Sequence, residues 1–580
     1  MDKAQIAEAL HELAVLMELT GANPFKVRAY ENAARTVDGL AEEIGPLIEK
    51  DALVEIKGIG RNLADHIAEL YRSGEIAEYA GLKKSVPEGV IEMLSIPGLG
   101  PKKAAHLWRG MGIKSAGELE FLCKRHMIAG APGFGAKTEE KILAGIAMLR
   151  RFAGKRLFSE AAAQAKAVHE MVESWPEVDR LEVAGSVRRR REVVGDVDMI
   201  AASTDPVKVM DRFVSMPIVE RVLQHGEKKS EVILESGVQC DLRVVTEEQF
   251  PFALHHFTGS KEHNVRMRAR AKSMGLKLNE YGLFKEGSEK SMKCADEAAL
   301  FAALGMDYVE PELREDMGEL EAAEGKKLPK LVEDGDLKGV LHVHSNYSDG
   351  EASIEKMAEA ARVMGFEYLA ICDHSRILTV AHGLTPADVK RQHREIDALN
   401  KKFKNFLVLK GIEVDVLADG LLDFEDDLLA AFDIVIASVH TRFNMPEEEM
   451  TRRIIKGISN PFVHALAHPT GRLLLARDPY AVDMNRVLDA AAELGVAMEI
   501  NAHPQRLDLD WRWCKRARDK GVKFIICPDA HSPDDMGLIG YGVNVARKGW
   551  LAKGDILNCF DAHKLLECLN GKRSEEGRVK

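Results

Sequence analysis

Two aspartates two positions apart, Asp196 and Asp198, stand in DVDMIAA, a stretch whose composition reads as a β-strand. Spacing of i, i+2 puts both carboxylates on one face, with Val197 and Met199 on the other. Oxygen ligands of this kind hold Mg²⁺ together with phosphate oxygens. Two such ions, ~3.5–4 Å apart, activate an attacking hydroxyl and stabilise a leaving group. Asp241, in the strand candidate VQCDLRVV, is a third carboxylate for the same site. Upstream, Gly185-Ser186 offers N–H and hydroxyl donors to a triphosphate, and the run Arg188–Arg191 offers charge to neutralise it. An Asp-x-Asp alone also describes a solvated strand edge. Gly-Ser, then arginines, then Gly195-Asp-x-Asp is far more restrictive.

A second set of chemistry-bearing residues lies in the C-terminal half. His342 and His344 share one face of a strand candidate, GVLHVH, and Asp349 follows in the loop. His374, Glu413, His440 and His468 stand in or at the ends of the next four strand candidates, and Asp529 and His531 close the seventh. Any one of these histidines read alone is an ordinary core or surface residue. Nine such residues in strand order, in a fold that gathers C-terminal strand ends, are too many for one ion. Mixed imidazole and carboxylate suits Zn, Mn or Fe. Such a cluster can activate water and clamp a phosphate ester. His503 ends the sixth strand candidate outside this set.

A third signal is a repeated Gly-x-Gly turn between helical stretches: Gly58-Ile59-Gly60, Gly98-Leu99-Gly100 and Gly133-Phe134-Gly135. Lys102 and Lys103 adjoin the second turn. Glycines permit a tight turn, and the free N–H groups of the next helix then meet a phosphate. Contacts of this type position a nucleic-acid backbone without reading bases. A single copy is as well explained by helix packing; three copies favour DNA.

The elements that must carry these groups follow from texture. Residues 1–150 read as short helices, with Ile6, Leu10, Leu13 and Met17 at helical spacing. A mixed α/β texture runs from about 155 to 310. Residues 311–335 are charged and poor in aromatics and read as a linker. Seven strand candidates alternating with helical stretches then imply a parallel barrel or a doubly wound sheet. The net charge of −12 excludes a surface that coats nucleic acid throughout, so DNA contact must be local. Residues 101–150, with 9 basic and 4 acidic side chains, are one such locality. Eight cysteines without a CxxC give no disulfide framework, and no apolar run approaches the ~20 residues of a membrane span. The expectation is a cytoplasmic, nucleoid-associated protein, monomeric by default, with no membrane association.

The Gly-Ser and Gly-Asp-x-Asp arrangement resembles the palm of family X DNA polymerases, repair enzymes related to polymerase beta. The resemblance continues through HHFTGSKEHNVRMRARAKSMGLKLNEYGLF (255–284). It implies triphosphate contacts from Ser186, Arg189 and Gly195 beside Gly185, and a sugar flanked by His256, Phe257 and Gly259. It places Asn264 at the incoming base and Arg268 near the template. It makes Asp196, Asp198 and Asp241 the ligands of Mg²⁺ or Mn²⁺, with Asp241 orienting the primer 3′-hydroxyl. The glycine turns resemble helix–hairpin–helix motifs of DNA repair proteins. Two departures stand out. His256 replaces a tyrosine common at the sugar, which touches ribonucleotide discrimination. His66 occupies the place of the Schiff-base lysine of the family's lyase domain, which predicts no strong lyase activity.

The C-terminal half resembles the PHP (polymerase and histidinol phosphatase) domain, which implies a (β/α)7 barrel. It implies up to three Zn²⁺, Mn²⁺ or Fe²⁺ ions: one at His342, His344, Glu413 and Asp529, one at Glu413, His440 and His468, and one at Asp349, His374 and His531. The expected organisation is a helical lyase-like domain (1–85), a fingers-like domain (86–150), a nucleotidyltransferase palm with its nucleotide-binding subdomain (151–310), the linker, and the PHP domain (336–580). The expected activity is template-directed gap filling with dNTPs on gapped or nicked DNA, plus 3′→5′ exonuclease action. The resemblance also implies abasic-site incision and 3′-phosphate removal. Two other classes remain open: a template-independent nucleotidyltransferase, and a phosphoesterase whose N-terminal half binds DNA without catalysis.

Overall fold

The computed structural model describes residues 1–580 except 2, 39, 41–43, 75, 132 and 577–580; Pro132, immediately before the third glycine turn, is therefore outside the described residues. The chain forms two compact units, Met1–Ala153 and Gly154–Lys580. Among the described residues no helix is long and apolar enough to cross a membrane.

The first unit is helical. Ile6, Leu10, Leu13 and Met17, on the helix Lys3–Thr20, are buried as their spacing requires. Each first glycine of the repeated turns has positive φ: Gly58 at +99°, Gly98 at +83° and Gly133 at +83°. Each second glycine caps a helix, Arg61–Ser73, Pro101–Ala105 or Ala136–Phe152, and none of the three caps uses a side chain.

Among its described residues the second unit carries two large sheets beside two two-stranded ones, and the two large sheets hold the candidate sites. The smaller of these two has five strands: β1 (Arg180–Val183), β2 (Asp196–Ala202), β3 (Val219–His225), β4 (Lys229–Leu234) and β5 (Gln239–Val245). Their order is β1-β2-β5-β4-β3, and only the β2/β5 pair is parallel. Val197, Met199, Cys240 and Leu242 belong to a core on the far side of the sheet from the aspartates. Beyond this sheet come helices α1 (Phe250–Thr258), α2 (Lys261–Ser273) and α3 (Glu297–Ala303).

The larger sheet is a seven-stranded, all-parallel barrel in sequence order: β6 (Gly339–Val343), β7 (Tyr368–Ile371), β8 (Leu407–Asp415), β9 (Ile434–Ser438), β10 (Ala465–Leu466), β11 (Ala497–Asn501) and β12 (Phe524–Cys527). A parallel bridge between Val343 and Ala530, with His344 N–H donating to Ala530 O at 2.8 Å, nearly closes it. The strands are buried on both faces, as helix-covered parallel strands must be. Leu341, Tyr368, Leu409, Ile436 and Ile525 fill the inside, joined by Leu565 and Leu569 of the C-terminal helix. This is the (β/α)7 alternative of the two left open by the strand pattern.

Residues 311–335 do not behave as a linker. Pro311–Leu313 forms a 3-10 turn and Glu319–Glu324 a helix, and Glu312, Arg314 and Glu319 are buried. Glu312 accepts from Arg547 at 2.7 Å, Glu315 pairs with Lys548 at 2.6 Å, and Lys515 donates to Met317 O at 2.6 Å. Arg547 and Lys548 end helix α4 (Ile539–Lys548), which packs against the barrel. Two of the charges that look like a solvated spacer, Glu312 and Glu315, meet cations more than two hundred residues away, while Arg314 and Glu319 are buried against Glu297 and His263.

Candidate active sites

Parallel pairing of β2 with β5 sets Asp198 beside Asp241. Paired residues of neighbouring strands point to the same face, so Asp196, Asp198 and Asp241 share one surface. Crowding has an electrostatic signature. Burial, and then the charges of Asp196 and Asp241, push the Asp198 carboxyl up to about 7. Burial and Asp241 raise Asp196 as well. Three carboxylates that repel one another until a cation lies among them are an all-oxygen donor set suited to Mg²⁺ or Mn²⁺. Gly185 begins the turn next to β2 with φ +61°, and a Cβ there would collide with the Asp198 carboxylate. Ser186 follows half-buried, and Gly195 precedes Asp196 with open space up to Lys155 Nζ, 3.4 Å from where a Cβ would sit.

Two neighbours of the triad escaped the sequence reading. Gln239 Nε2 donates to Asp241 Oδ1 at 3.0 Å, and Lys229 Nζ lies 3.3 Å from Asp241 Oδ2. Gln239 was signalled by its i−2 spacing on the same face; Lys229 reaches in from β4, which local spacing does not show.

The arginine run departs from expectation. Arg188 pairs with Glu297 at 2.6 Å and donates to Thr258 Oγ1 at 2.8 Å. Arg189 pairs with Glu315 at 2.9 Å and donates to Thr258 O at 2.7 Å. Arg190 pairs with Glu312 at 3.2 Å and Arg191 with Glu315 at 3.4 Å. Each arginine of the run thus has a carboxylate partner on α3 or in the 311–315 turn, but the three carboxylates are shared with Arg314, Arg547 and Lys548, so the cluster keeps a net positive charge while it braces the site.

At the end of α1, Gly259 leaves no room for a side chain: a Cβ would lie 2.7 Å from His263. Ser260 caps α2 by accepting His263 N–H at 3.1 Å. Asn264 Nδ2 donates to His256 O at 2.6 Å and Gly259 O at 3.2 Å, while its Oδ1 is buried without a partner. The asparagine thus holds the turn that presents His256 and Phe257, and its amide nitrogen is committed there rather than free for a base. His256 and Phe257 are half-buried and meet edge to face at 5.0 Å. Burial lowers the His256 pKa, keeping it neutral at neutral pH. Arg268 is exposed on α2.

In the barrel, all nine sequence-picked residues converge. His342, His344 and Asp529 form one donor group, His374, Glu413 and His440 a second, and His344, Asp349, His374 and His531 a third. Glu413 Oε2 is 3.4 Å from His342 Nε2 and 3.9 Å from His344 Nε2; Glu413 Oε1 is 3.0 Å from His468 Nε2. The grouping differs from the expected partition: His344 and His374, their rings 4.5 Å apart, each stand in two groups, Glu413 stands only with His374 and His440, and His468 stands in none, though its Nε2 lies 3.0 Å from Glu413 Oε1. Buried His342 Nε2, His344 Nδ1, His374 Nδ1 and Glu413 Oε2 make no hydrogen bond. Unused lone pairs facing a shared space, on imidazole and carboxylate together, fit Zn²⁺, Mn²⁺ or Fe²⁺. Burial and the neighbouring His374 push His344 down to about 3, whereas burial is outweighed by the surrounding carboxylates at His342, His374, His440 and His531, which are raised, so metal binding there must displace protons. His503 lies past β11, with its N–H donating to Asn501 Oδ1 at 3.1 Å and its ring outside the groups.

In the first unit, a Cβ on Gly60, Gly98, Gly100, Gly133 or Gly135 would meet nothing within 4 Å. These glycines therefore do not serve close helix packing; the second of each turn opens on free space beside uncapped helix N–H groups. Lys102 is exposed and Lys103 half-exposed at the second turn. His66 Nδ1 is 2.6 Å from the hydroxyl of buried Tyr30.

Comparison with known proteins agrees with this geometry. Residues 1–76 match a helix-hairpin-helix domain, 90–147 a SAM-like helix-hairpin-helix tandem, 253–315 the DNA polymerase beta thumb and 341–503 the PHP domain. The chain is 40% identical to the DNA polymerase/3′-5′ exonuclease PolX of Bacillus subtilis (strain 168), over 96% of this chain and 97% of that protein. It belongs to the family X DNA polymerases that carry a PHP domain. Each half of that family is also matched separately. A probable phosphatase of Thermoanaerobacter sp. (strain X514) is 29% identical over 42% of this chain and 98% of its own length. The repair DNA polymerase X of African swine fever virus (isolate Pig/Kenya/KEN-50/1950) is 33% identical over 22% of this chain and 78% of its own. The thumb match ends at 315, inside the segment whose composition reads as a linker.

Proposed function

We propose that this chain fills short gaps in DNA by template-directed nucleotidyl transfer and removes 3′ nucleotides by phosphodiester hydrolysis, from two separate active sites. The observation that carries this is one polypeptide with three carboxylates on one sheet face beside the Gly185 turn, and a His/Asp/Glu ring of eight grouped residues, with His468 against Glu413, in a parallel barrel. The Gly185-Ser186 turn and the His256–Gly259 turn bind and orient the dNTP. Arg188 and Arg189, each bonded to Thr258, hold those two turns in register. Asp241, steadied by Gln239 and Lys229, orients the primer 3′-hydroxyl and accepts its proton. The open second glycines and Lys102 and Lys103 hold the DNA backbone, and Arg268 faces the template. In the barrel, the ring binds and orients the scissile phosphate. When bound, Mg²⁺ or Mn²⁺ at the triad and up to three Zn²⁺, Mn²⁺ or Fe²⁺ ions in the ring supply the Lewis acidity for both reactions. The barrel's third donor group adds abasic-site incision and 3′-phosphate removal to the range of phosphoesters it accepts. The enzyme works as a cytoplasmic, nucleoid-associated monomer.

The test is extension of a primer on one-nucleotide-gapped DNA and on unpaired single strands. Extension confined to templated ends, and lost in Asp196→Ala, is expected. Equal extension without a template would favour a template-independent transferase.

A further inference from the structure

Strand β11 ends among the ligand strands, yet none of its residues enters a donor group. It instead carries two fully buried polar side chains, Glu499 and Asn501. His342 Nδ1–H donates to Glu499 Oε1 at 2.6 Å, and His468 N–H donates to Glu499 Oε2 at 2.6 Å. Asn501 Nδ2 donates to Asp529 Oδ2 at 3.0 Å. One strand therefore touches ligand residues on three others: His342 on β6, His468 past β10 and Asp529 past β12.

The His342 geometry is the decisive part. Its Nδ1 is occupied by Glu499, while its Nε2, buried and without a hydrogen bond, lies 3.4 Å from Glu413 Oε2 and 3.6 Å from Asp529 Oδ1. An imidazole whose Nδ1–H is held by a carboxylate presents its lone pair at Nε2, in a fixed orientation and with raised basicity. A second dyad repeats the pattern. His440 Nδ1 lies 3.2 Å from Asp415 Oδ1, and its Nε2 faces Glu413 Oε1 at 3.3 Å. A carboxylate buried this deeply, with a backbone N–H on one oxygen and a ring N–H on the other, is built to hold two groups at once.

We propose that Glu499 is a positioning residue of the barrel's metal centre: it fixes His342 in the tautomer and orientation that turn Nε2 to the ion, while Asn501 sets the Asp529 carboxylate. The inference rests on the reading of the ring as a metal centre. The full chain, stripped of metal by a chelator, is titrated with Co²⁺, whose visible ligand-field spectrum reports the donor geometry. Glu499→Gln, nearly isosteric, is expected to bind Co²⁺ about 10- to 100-fold more weakly and with an altered spectrum. The metal-free protein should melt as wild type does, and primer extension should be unchanged. In a His342→Ala background, Glu499→Gln should cost nothing further. Glu499→Asp is read the same way if the glutamine variant does not fold. Wild-type Co²⁺ affinity and spectrum in these variants would overturn the proposal, as would an equal loss with and without His342. So would destabilisation of both variants in the absence of metal as large as in its presence. Failure of the wild type to bind Co²⁺ would instead sink the reading of the ring itself.

Discussion

Replacing Glu297 by alanine should destabilise the second unit by about 3–5 kcal/mol, the usual cost of breaking a buried ion pair from one side. Glu297 is 5% exposed and holds two guanidinium groups: Arg188 at 2.6 Å and Arg314, which is fully buried. Arg314 otherwise has Val309 O at 2.9 Å and the faces of Phe301 and Tyr308, and its Nη2 is unpartnered. It cannot recover its solvation when the carboxylate goes. The titration behaviour gives a similar figure. Burial alone would raise Glu297; Arg314 and Arg188 outweigh it and hold the carboxyl at about 2. Against an ordinary glutamate near ~4.3, about two units correspond to roughly 3 kcal/mol. Because the folded value is depressed, this stabilisation is fully present above about pH 4.3 and disappears as pH falls towards 2. Urea unfolding followed by tryptophan fluorescence at pH 7 and pH 3 reads both. Glu310→Ala, which removes a half-exposed partner 3.9 Å from Arg547, is the control and should cost no more than about 1 kcal/mol. Since Arg188 also bonds Thr258, Glu297→Ala should raise the KM for dNTP more than it lowers kcat. A loss below about 1 kcal/mol at pH 7, or a difference that does not shrink at low pH, would refute the reasoning.

Asp198→Asn should abolish extension in Mn²⁺ and, with metal removed by EDTA, should stabilise the protein at pH 8 by about 1–3 kcal/mol. Its raised carboxyl disfavours the native state as pH climbs above the ordinary carboxylate range, so the gain should vanish near pH 4; thermal melts at the two pH values check this. Gly100→Ala, whose Cβ meets nothing, should leave stability within about 0.5 kcal/mol of wild type but weaken binding to gapped DNA. Gly98→Ala, at φ +83°, should cost about 1 kcal/mol or more of stability in denaturant unfolding. Lys102→Ala/Lys103→Ala should lower the slope of log affinity against log salt by about 2, equally on unrelated sequences, in fluorescence anisotropy.

The convergence of the barrel's candidate ligands was legible because residue type and strand-end position coincide: His342 and His344 stand at i, i+2, and Asp529 and His531 follow the last strand. The three aspartates stood out for the same reason, but the pairing of Asp198 with Asp241 emerges only from the sheet register. Glu499 and Asp415 did not stand out. Glu499 is a single carboxylate inside an apolar strand, and the histidine that explains it lies 157 residues away; Asp415 ends its strand two positions after Glu413, and its partner His440 comes from just past the next strand. The same long-range pairing hid the fate of residues 311–335 and of the arginine run. Local composition reports charge, not whether an opposite charge arrives from elsewhere to bury it. Glu312 and Arg547, 235 residues apart, look like solvent-facing side chains in isolation and form a part-buried pair in the fold.

The central claim is two independent active sites on one chain. It is tested most directly with a 5′-labelled primer on one-nucleotide-gapped DNA in Mn²⁺, with and without dNTPs. The proteins compared are wild type, Asp196→Ala/Asp198→Ala and His344→Ala. Extension lost only in the double aspartate variant, with shortening lost only in the histidine variant, is the expected result. Loss of both reactions in either variant would contradict two independent sites, and a wild type that neither extends nor shortens the primer would contradict the account as a whole.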